Sequence, residues 1–158
     1  MRYVPLFGCC LLLGACGFQL QGRQHLPPVL ATLELDPADA HSDFTVALRR
    51  SLDAAGAKVV EHVAPDGAVV HIVRDEVTER EESVSPRNIP TDYELIYKVE
   101  VTVRAGGQEL MSAEPFTLSS TYSFDETKLR GKEREKDVLR AALARDMASV
   151  VVRRLASL

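Results

Sequence analysis

Between residues 93 and 103 the chain alternates almost without a break. Tyr93, Leu95, Tyr97, Val99, Val101 and Val103 hold the odd positions, while Glu94, Lys98, Glu100 and Thr102 make the even ones polar apart from Ile96. A period of two held this long predicts a strand with one buried face. Gly106-Gly107 then supplies the positive φ angles of a tight hairpin. Phe116, Leu118, Tyr122 and Phe124 carry the alternation into a further strand, and Pro115 argues for an edge or a bulge at its start. Upstream, a strand beginning at Val69 is apolar only to about Val73, and residues 74–82 are charged on both faces apart from Val77. A strand wet on both sides should project past the helices that cover the sheet. Residues 74–94 therefore read as a long hairpin whose tip, residues 83–90, stands clear of the core.

Elsewhere the apolar spacing changes from two to four. Phe44, Leu48 and Leu52 form a stripe on a helix that Ser42 or Asp43 can cap, that runs to about Ala55, and that Gly56 stops. Short strands are expected at residues 29–35, with Leu33 and Leu35 on one face, and at residues 58–63, before a turn at Pro65-Asp66-Gly67. A last helix runs from about Lys132 to Leu155. Leu139, Leu143, Met147, Val150, Val151 and Leu155 share one face of it, and Arg134, Arg145 and Arg153 keep mostly to the other. The expected fold class is α+β: a two-layer sandwich of order β-α-β-β-β-α, with two helices packed on one face of a mixed, mostly antiparallel four-stranded sheet.

The N-terminal end has another character. Arg2 precedes an apolar run, residues 4–13, that no charge interrupts and that is too short to remain as a membrane-spanning helix. Leu13-Gly14-Ala15-Cys16 resembles the lipobox of bacterial lipoproteins, in which the signal is cut before the cysteine and that cysteine is acylated. An ordinary signal that happens to contain cysteines is the competing reading. Several acyl chains on one residue hold a protein on a membrane where one chain gives marginal binding. Gly17, where an aspartate would favour inner-membrane retention, points to the outer membrane by the same resemblance. The chain thus divides into a signal peptide (residues 1–15), a lipidated tether rich in Gly and Pro (residues 16–28) and a single domain (residues 29–158).

Composition narrows the chemistry. Cys9 and Cys10 depart with the signal and Cys16 is used for lipid, so neither a disulfide nor a thiolate metal site is expected. The formal charge of −4 becomes one unit more negative when Arg2 is removed, and an acidic domain lacks the basic footprint that nucleic acid requires. His25, His41, His62 and His71 show no ligand spacing; His62 and His71 are expected on strands. No nucleophile elbow, phosphate-cradling glycine loop or H-E-x-x-H motif occurs, so neither enzyme activity nor a cofactor is expected. Glu79, Glu81 and Glu82 are close in sequence, with Arg80 on the opposite strand face, and a solvated edge accounts for them. Two basic features remain: Arg87 in the hairpin tip between Pro86 and Pro90, and Lys128, Arg130 and Lys132 around Gly131. Either can bind phosphate or carboxylate; a solvated charged surface is the alternative for both, and Glu126, Glu133, Glu135 and Asp137 neutralise the second.

Several segments in order resemble the LptE family of lipopolysaccharide-assembly lipoproteins. They are Cys16-Gly17-Phe18-Gln19-Leu20-Gln21-Gly22, the helix of residues 44–56, Arg87-Asn88 followed by Thr91-Asp92-Tyr93-Glu94, Tyr122-Ser123-Phe124-Asp125, and Lys132-Glu133-Arg134-Glu135-Lys136-Asp137. The resemblance implies a lipoprotein anchored through Cys16 to the outer membrane of a Gram-negative bacterium. It would plug and help assemble the LptD β-barrel and bind lipopolysaccharide on its way to the cell surface. It further implies that Arg87 and Lys132 contact the ligand. Gln21 replaces a frequent arginine of the family, and the loop from Arg87 to Tyr93 is one residue shorter than in well-known relatives. The alternating Thr117, Ser119, Thr121 and Ser123 would suit a barrel's polar lumen or plain solvent equally. A structural outer-membrane lipoprotein that binds other envelope proteins and no glycolipid is the alternative function.

Overall fold

In the computed structural model the described residues are 25–84, 90–123 and 129–158; for Val84, Pro90 and residues 129–133 only the backbone is described. The signal, Cys16 and most of the tether lie outside them. A 3-10 turn, Pro28–Leu30, buries Leu30 completely, and Leu26 just before it packs on the core. The chain then enters β1 (Thr32–Asp36), whose Leu33 and Leu35 point inward.

Helix α1 (Asp43–Ala54) begins where the Ser42 hydroxyl accepts the Thr45 backbone N–H at 3.0 Å, satisfying one of the free amides of the first turn. It buries Phe44, Thr45, Ala47, Leu48 and Leu52. It ends in a Schellman arrangement: Gly56, at φ +91°, donates to the Asp53 carbonyl, and Ala57 donates to the Leu52 carbonyl, each at 3.0 Å. Strand β2 (Lys58–Val60) then returns parallel to β1, with Thr32 opposite Lys58. His62, expected on this strand, falls just beyond its end.

Strands β3 (Ala68–Val84), β4 (Pro90–Ala105) and β5 (Gln108–Ser123) make the long antiparallel part of the sheet. The β4–β5 turn is the expected two-glycine one, with φ +60° at Gly106 and +71° at Gly107. Helix α2 (Leu129–Leu155) completes the fold and starts a few residues earlier than its apolar stripe.

Three expectations need correcting. The sheet has five strands, not four, in the order β2-β1-β3-β4-β5. The brief Lys58–Val60 stretch takes a place of its own because the α1 crossover returns it beside β1. Nor is the sheet mostly antiparallel by pairing: β1 runs parallel to both neighbours, and only the two longer ladders are antiparallel.

The third correction concerns β3. Ile72 pairs with Val101 and Arg74 with Glu100, so Val73 is an extra residue, a bulge, and is left 44% exposed. A single extra residue reverses which side chains face inward. Val70 and Ile72 are inward before it, and Asp75, Val77 and Glu79 after it, opposite Val99, Tyr97 and Leu95. The charged stretch is therefore not wet on both sides; its Asp75 and Glu79 carboxylates lie on the helix side and meet partners there. The tip, residues 83–90, falls mainly outside the described residues.

Both helices cover the same face of the sheet. Leu33, Val70, Ile72, Leu95, Tyr97, Val99, Val101 and Val103 from the strands meet Phe44, Leu48, Leu52, Met147, Val151 and Leu155 from the helices, nearly all without solvent contact. Phe44 and Tyr97 pack tilted, with ring centroids 6.4 Å apart. Truncating Leu48 leaves a cavity that the two layers cannot close. Leu48→Ala is expected to cost about 2–5 kcal/mol in urea unfolding, with secondary structure retained; a loss below ~1 kcal/mol would contradict this core.

Candidate functional site

The long hairpin has two faces and a distal end, and each carries a different chemistry. On the face away from the helices, Arg80 Nη2 pairs with Glu94 Oε2 at 2.6 Å and Arg74 approaches Glu100 at 3.9 Å. Thr121 donates to Glu82 at 3.0 Å. Glu94 lies below the ordinary carboxylate range, first because of a hydrogen bond from Ser119 and then because of Arg80. Thr117, Ser119, Thr121 and Ser123 are all exposed along β5 on this face. The surface is thus rich in hydroxyls and paired charges.

The helix-facing side of the same hairpin carries the carboxylates that the Val73 bulge turned inward. Asp75 accepts the Ser42 hydroxyl at 2.5 Å, which fastens the cap of α1 to the sheet. Burial, and then the neighbouring Asp75 carboxylate, push the Tyr97 hydroxyl above the ordinary phenol range. Arg140 of α2 donates to Asp43 at 2.7 Å, tying the second helix to the same corner. Further out, Lys136 forms an ion pair with Glu79. Beside this pair Tyr122 stacks on Tyr93, centroids 5.7 Å apart and planes 19° from parallel. Burial followed by Glu79 raises the Tyr122 hydroxyl to about 12.

At the distal end, one carboxylate gathers three strands. Asp92 on β4 accepts from Ser123 on β5 at 2.8 Å and from Ser83 on β3, while Thr91 lies 2.7 Å from the Ser83 hydroxyl and 3.3 Å from Asp92. These bonds, Ser83 first and Ser123 next, hold Asp92 below its ordinary value of 3.8. The knot sits at the ends of the strands from which the two basic segments depart.

The residues singled out in the sequence are placed as follows. Cys16 and Arg87 lie outside the described residues; Arg87 belongs to the connection between Val84 and Pro90, which pair at the end of the β3–β4 ladder. Lys132 lies on α2, and its side chain is outside the description. It stands one helical turn before Lys136, roughly 6 Å nearer the distal end, since α2 runs back along β5 from there to the Arg154–Glu114 pair at 2.9 Å. Both basic segments therefore attach at one end of the molecule. His71 pairs with Asp36 at 2.8 Å and His62 lies 3.6 Å from Glu34, both near solvent. Among the described residues no group of three or more potential ligands could hold a metal ion, and no helix is long and apolar enough to cross a membrane.

Sequence reasoning missed the Asp92 knot and the Glu79–Lys136 pair, because both depend on pairing register. One signal was present: Val77 has the opposite parity to Val70 and Ile72, which a continuous strand cannot reconcile.

Residues 30–155 match the family model described as LptE, lipopolysaccharide-assembly. The LPS-assembly lipoprotein LptE of Yersinia enterocolitica is 27% identical over 154 residues, spanning 95% of this chain and 73% of that protein. Its counterpart from Pectobacterium atrosepticum is 24% identical over 146 residues, spanning 92% and 79%. Among solved structures, rare lipoprotein B from Shewanella oneidensis aligns with a TM-score of 0.68 at 28% identity, covering 80% of this chain and 94% of that one. Lipoprotein B from Nitrosomonas europaea, at 23% identity and a TM-score of 0.73 over 89% and 91%, shares the fold.

The Asp92 knot generates a pH prediction. A carboxyl lowered on folding adds stability above its unfolded-state value, and that stability is lost as pH falls through the lowered native one. The knot should therefore hold at neutral pH and loosen only in acid below the ordinary 3.8. Carbon-13 NMR titration should find the Asp92 midpoint below 3.8 and moving back towards it in a Ser83→Ala, Ser123→Ala variant; an unmoved midpoint would show that the hydroxyls are not the cause.

Proposed function

Because the chain belongs to the LptE family of non-enzymatic lipopolysaccharide-assembly lipoproteins of the Gram-negative outer membrane, we propose that it plugs and helps assemble an LptD-type β-barrel and binds lipopolysaccharide during delivery to the cell surface. The match over residues 30–155 carries this reading. In it, Cys16 bears the acyl chains and residues 16–28 are the tether.

The outer face of the hairpin suits the role. A barrel lumen is polar and wet, and a plug needs hydrogen-bonding groups facing it with few unpaired charges. Thr117, Ser119 and Thr121, beside the Arg80–Glu94 pair, answer that need. The distal end suits the cargo. Phosphate groups of lipid A call for cations held in place, and Arg87 and Lys132 belong to segments rooted at the same end. Arg can grip a phosphate through two parallel bonds and Lys as a point charge. No other part of the reading requires these two cations.

Two measurements test it. The full chain, tagged at its C-terminus and purified from its native envelope, is expected to bring down a stoichiometric outer-membrane β-barrel; a preparation without one favours a structural lipoprotein that serves other envelope proteins. Arg87→Asp combined with Lys132→Asp is expected to weaken binding of purified lipopolysaccharide by about tenfold or more, on the scale of one or two charge-assisted hydrogen bonds, with the melting temperature unchanged. Unaltered binding in the single and double variants would remove both residues from the site.

A further inference from the structure

The two edges of the sheet are not equivalent. On one side β2 is three residues long, too short to template another strand. On the other, β5 is sixteen residues long and, among the described residues, pairs only with β4. Its first half carries the usual defences of an open edge. Glu109, Glu114 and Pro115 lie there, and two register shifts break its ladder: Val101 and Val103 of β4 face Glu114 and Met111, and Arg104 faces Glu109. Each shift places an extra residue on β5, which bends and twists the edge away from a flat template.

From Phe116 onward every one of these defences is missing. Phe116 to Ser123 pairs with Val99 to Asp92 residue for residue, without a shift, a proline or a charged side chain. Thr117, Ser119, Thr121 and Ser123 stand exposed on the outer face, and Phe116 and Leu118 remain half-buried on the helix side. A straight, uncharged eight-residue edge is what an added strand requires: backbone amides and carbonyls in one line, with hydroxyls along the outer face and the apolar Phe116 and Leu118 on the other. Guarding one half of a strand and leaving the other bare is a difference that the chain's own stability does not demand.

We propose that residues 116–123 are a docking edge, to which an extended segment of a protein partner adds as a sixth strand. The partner segment alternates polar residues, facing Thr117, Ser119 and Thr121, with apolar ones that cover the half-buried Phe116 and Leu118. Backbone hydrogen bonds supply its affinity, and the two faces select its sequence. This interaction does not depend on lipopolysaccharide being the cargo.

The test uses the full chain in its native envelope, with a diazirine amino acid placed in turn at 117, 119 and 121, and at Val46 on the exposed side of α1 as reference. A discrete protein adduct is expected from the three β5 positions and not from position 46. Mapped by mass spectrometry, the partner's linked residue should advance by two for each step of two along β5, the signature of strand pairing. Thr117→Lys with Ser119→Lys should then lower the adduct at 121 by roughly tenfold with an unchanged melting curve, because both side chains point away from the core. An adduct of twice the chain's mass would replace the partner by a second copy and overturn the proposal. It would equally fail on a glycolipid adduct alone, on linked positions without the two-residue step, or on no adduct.

Discussion

One extra residue in β3 governs how this molecule is put together. Were β3 regular beyond Ile72, Arg74, Glu76 and Thr78 would face the helices and Val77 would face solvent. The bulge at Val73 reverses this, placing Asp75, Val77 and Glu79 on the helix side. Turning carboxylates towards a helix layer is unfavourable unless each finds a partner. Here the partners come from elements distant in sequence. Ser42 caps α1 and also donates to Asp75, and Lys136 of α2 meets Glu79. The polar cost of the bulge is thereby converted into orientation, because the two bonds specify how far along the hairpin each helix sits.

That arrangement explains a contrast between the two halves of α2. From Leu143 to Leu155 the helix is held by apolar burial, with Leu143, Met147, Val151 and Leu155 in the core. Its earlier turns have little such contact, and Val138 is 67% exposed. There the helix is held by ion pairs, Lys136 with Glu79 and Arg140 with Asp43. Partly exposed pairs of this kind contribute little individually to stability. Their effect is positional: they keep the basic start of α2 beside the end of the hairpin, where Asp92 binds the ends of three strands together.

The sheet also sets the distance between the start of β1 and the far end of the β3–β4 hairpin. β1 enters at the end of the sheet where Leu33 faces Ala68, and β3 leaves at the other. A seventeen-residue strand spans on the order of 55 Å. The described chain therefore leads into β1 at the end of the sheet opposite the connection that carries Arg87. In the function proposed above, the lipid holds one end at the membrane and the ligand meets the other.

Much of this fold was legible in the amino-acid sequence. The period-two run from Tyr93, the stripe of Phe44, Leu48 and Leu52, the Ser42 cap, the stop at Gly56 and the Gly106-Gly107 turn all follow from which face a residue presents inside its own element, and neighbours along the chain decide that. The family too could be read there, from short segments taken together in their order and spacing. Register could not. The place of β2 at the sheet edge, the inward turn of Asp75 and Glu79, the Asp92 knot and the uneven edge of β5 arise from pairing between segments far apart in the chain. Their energies depend on which backbone groups and side chains are brought opposite one another, and tertiary structure alone decides that.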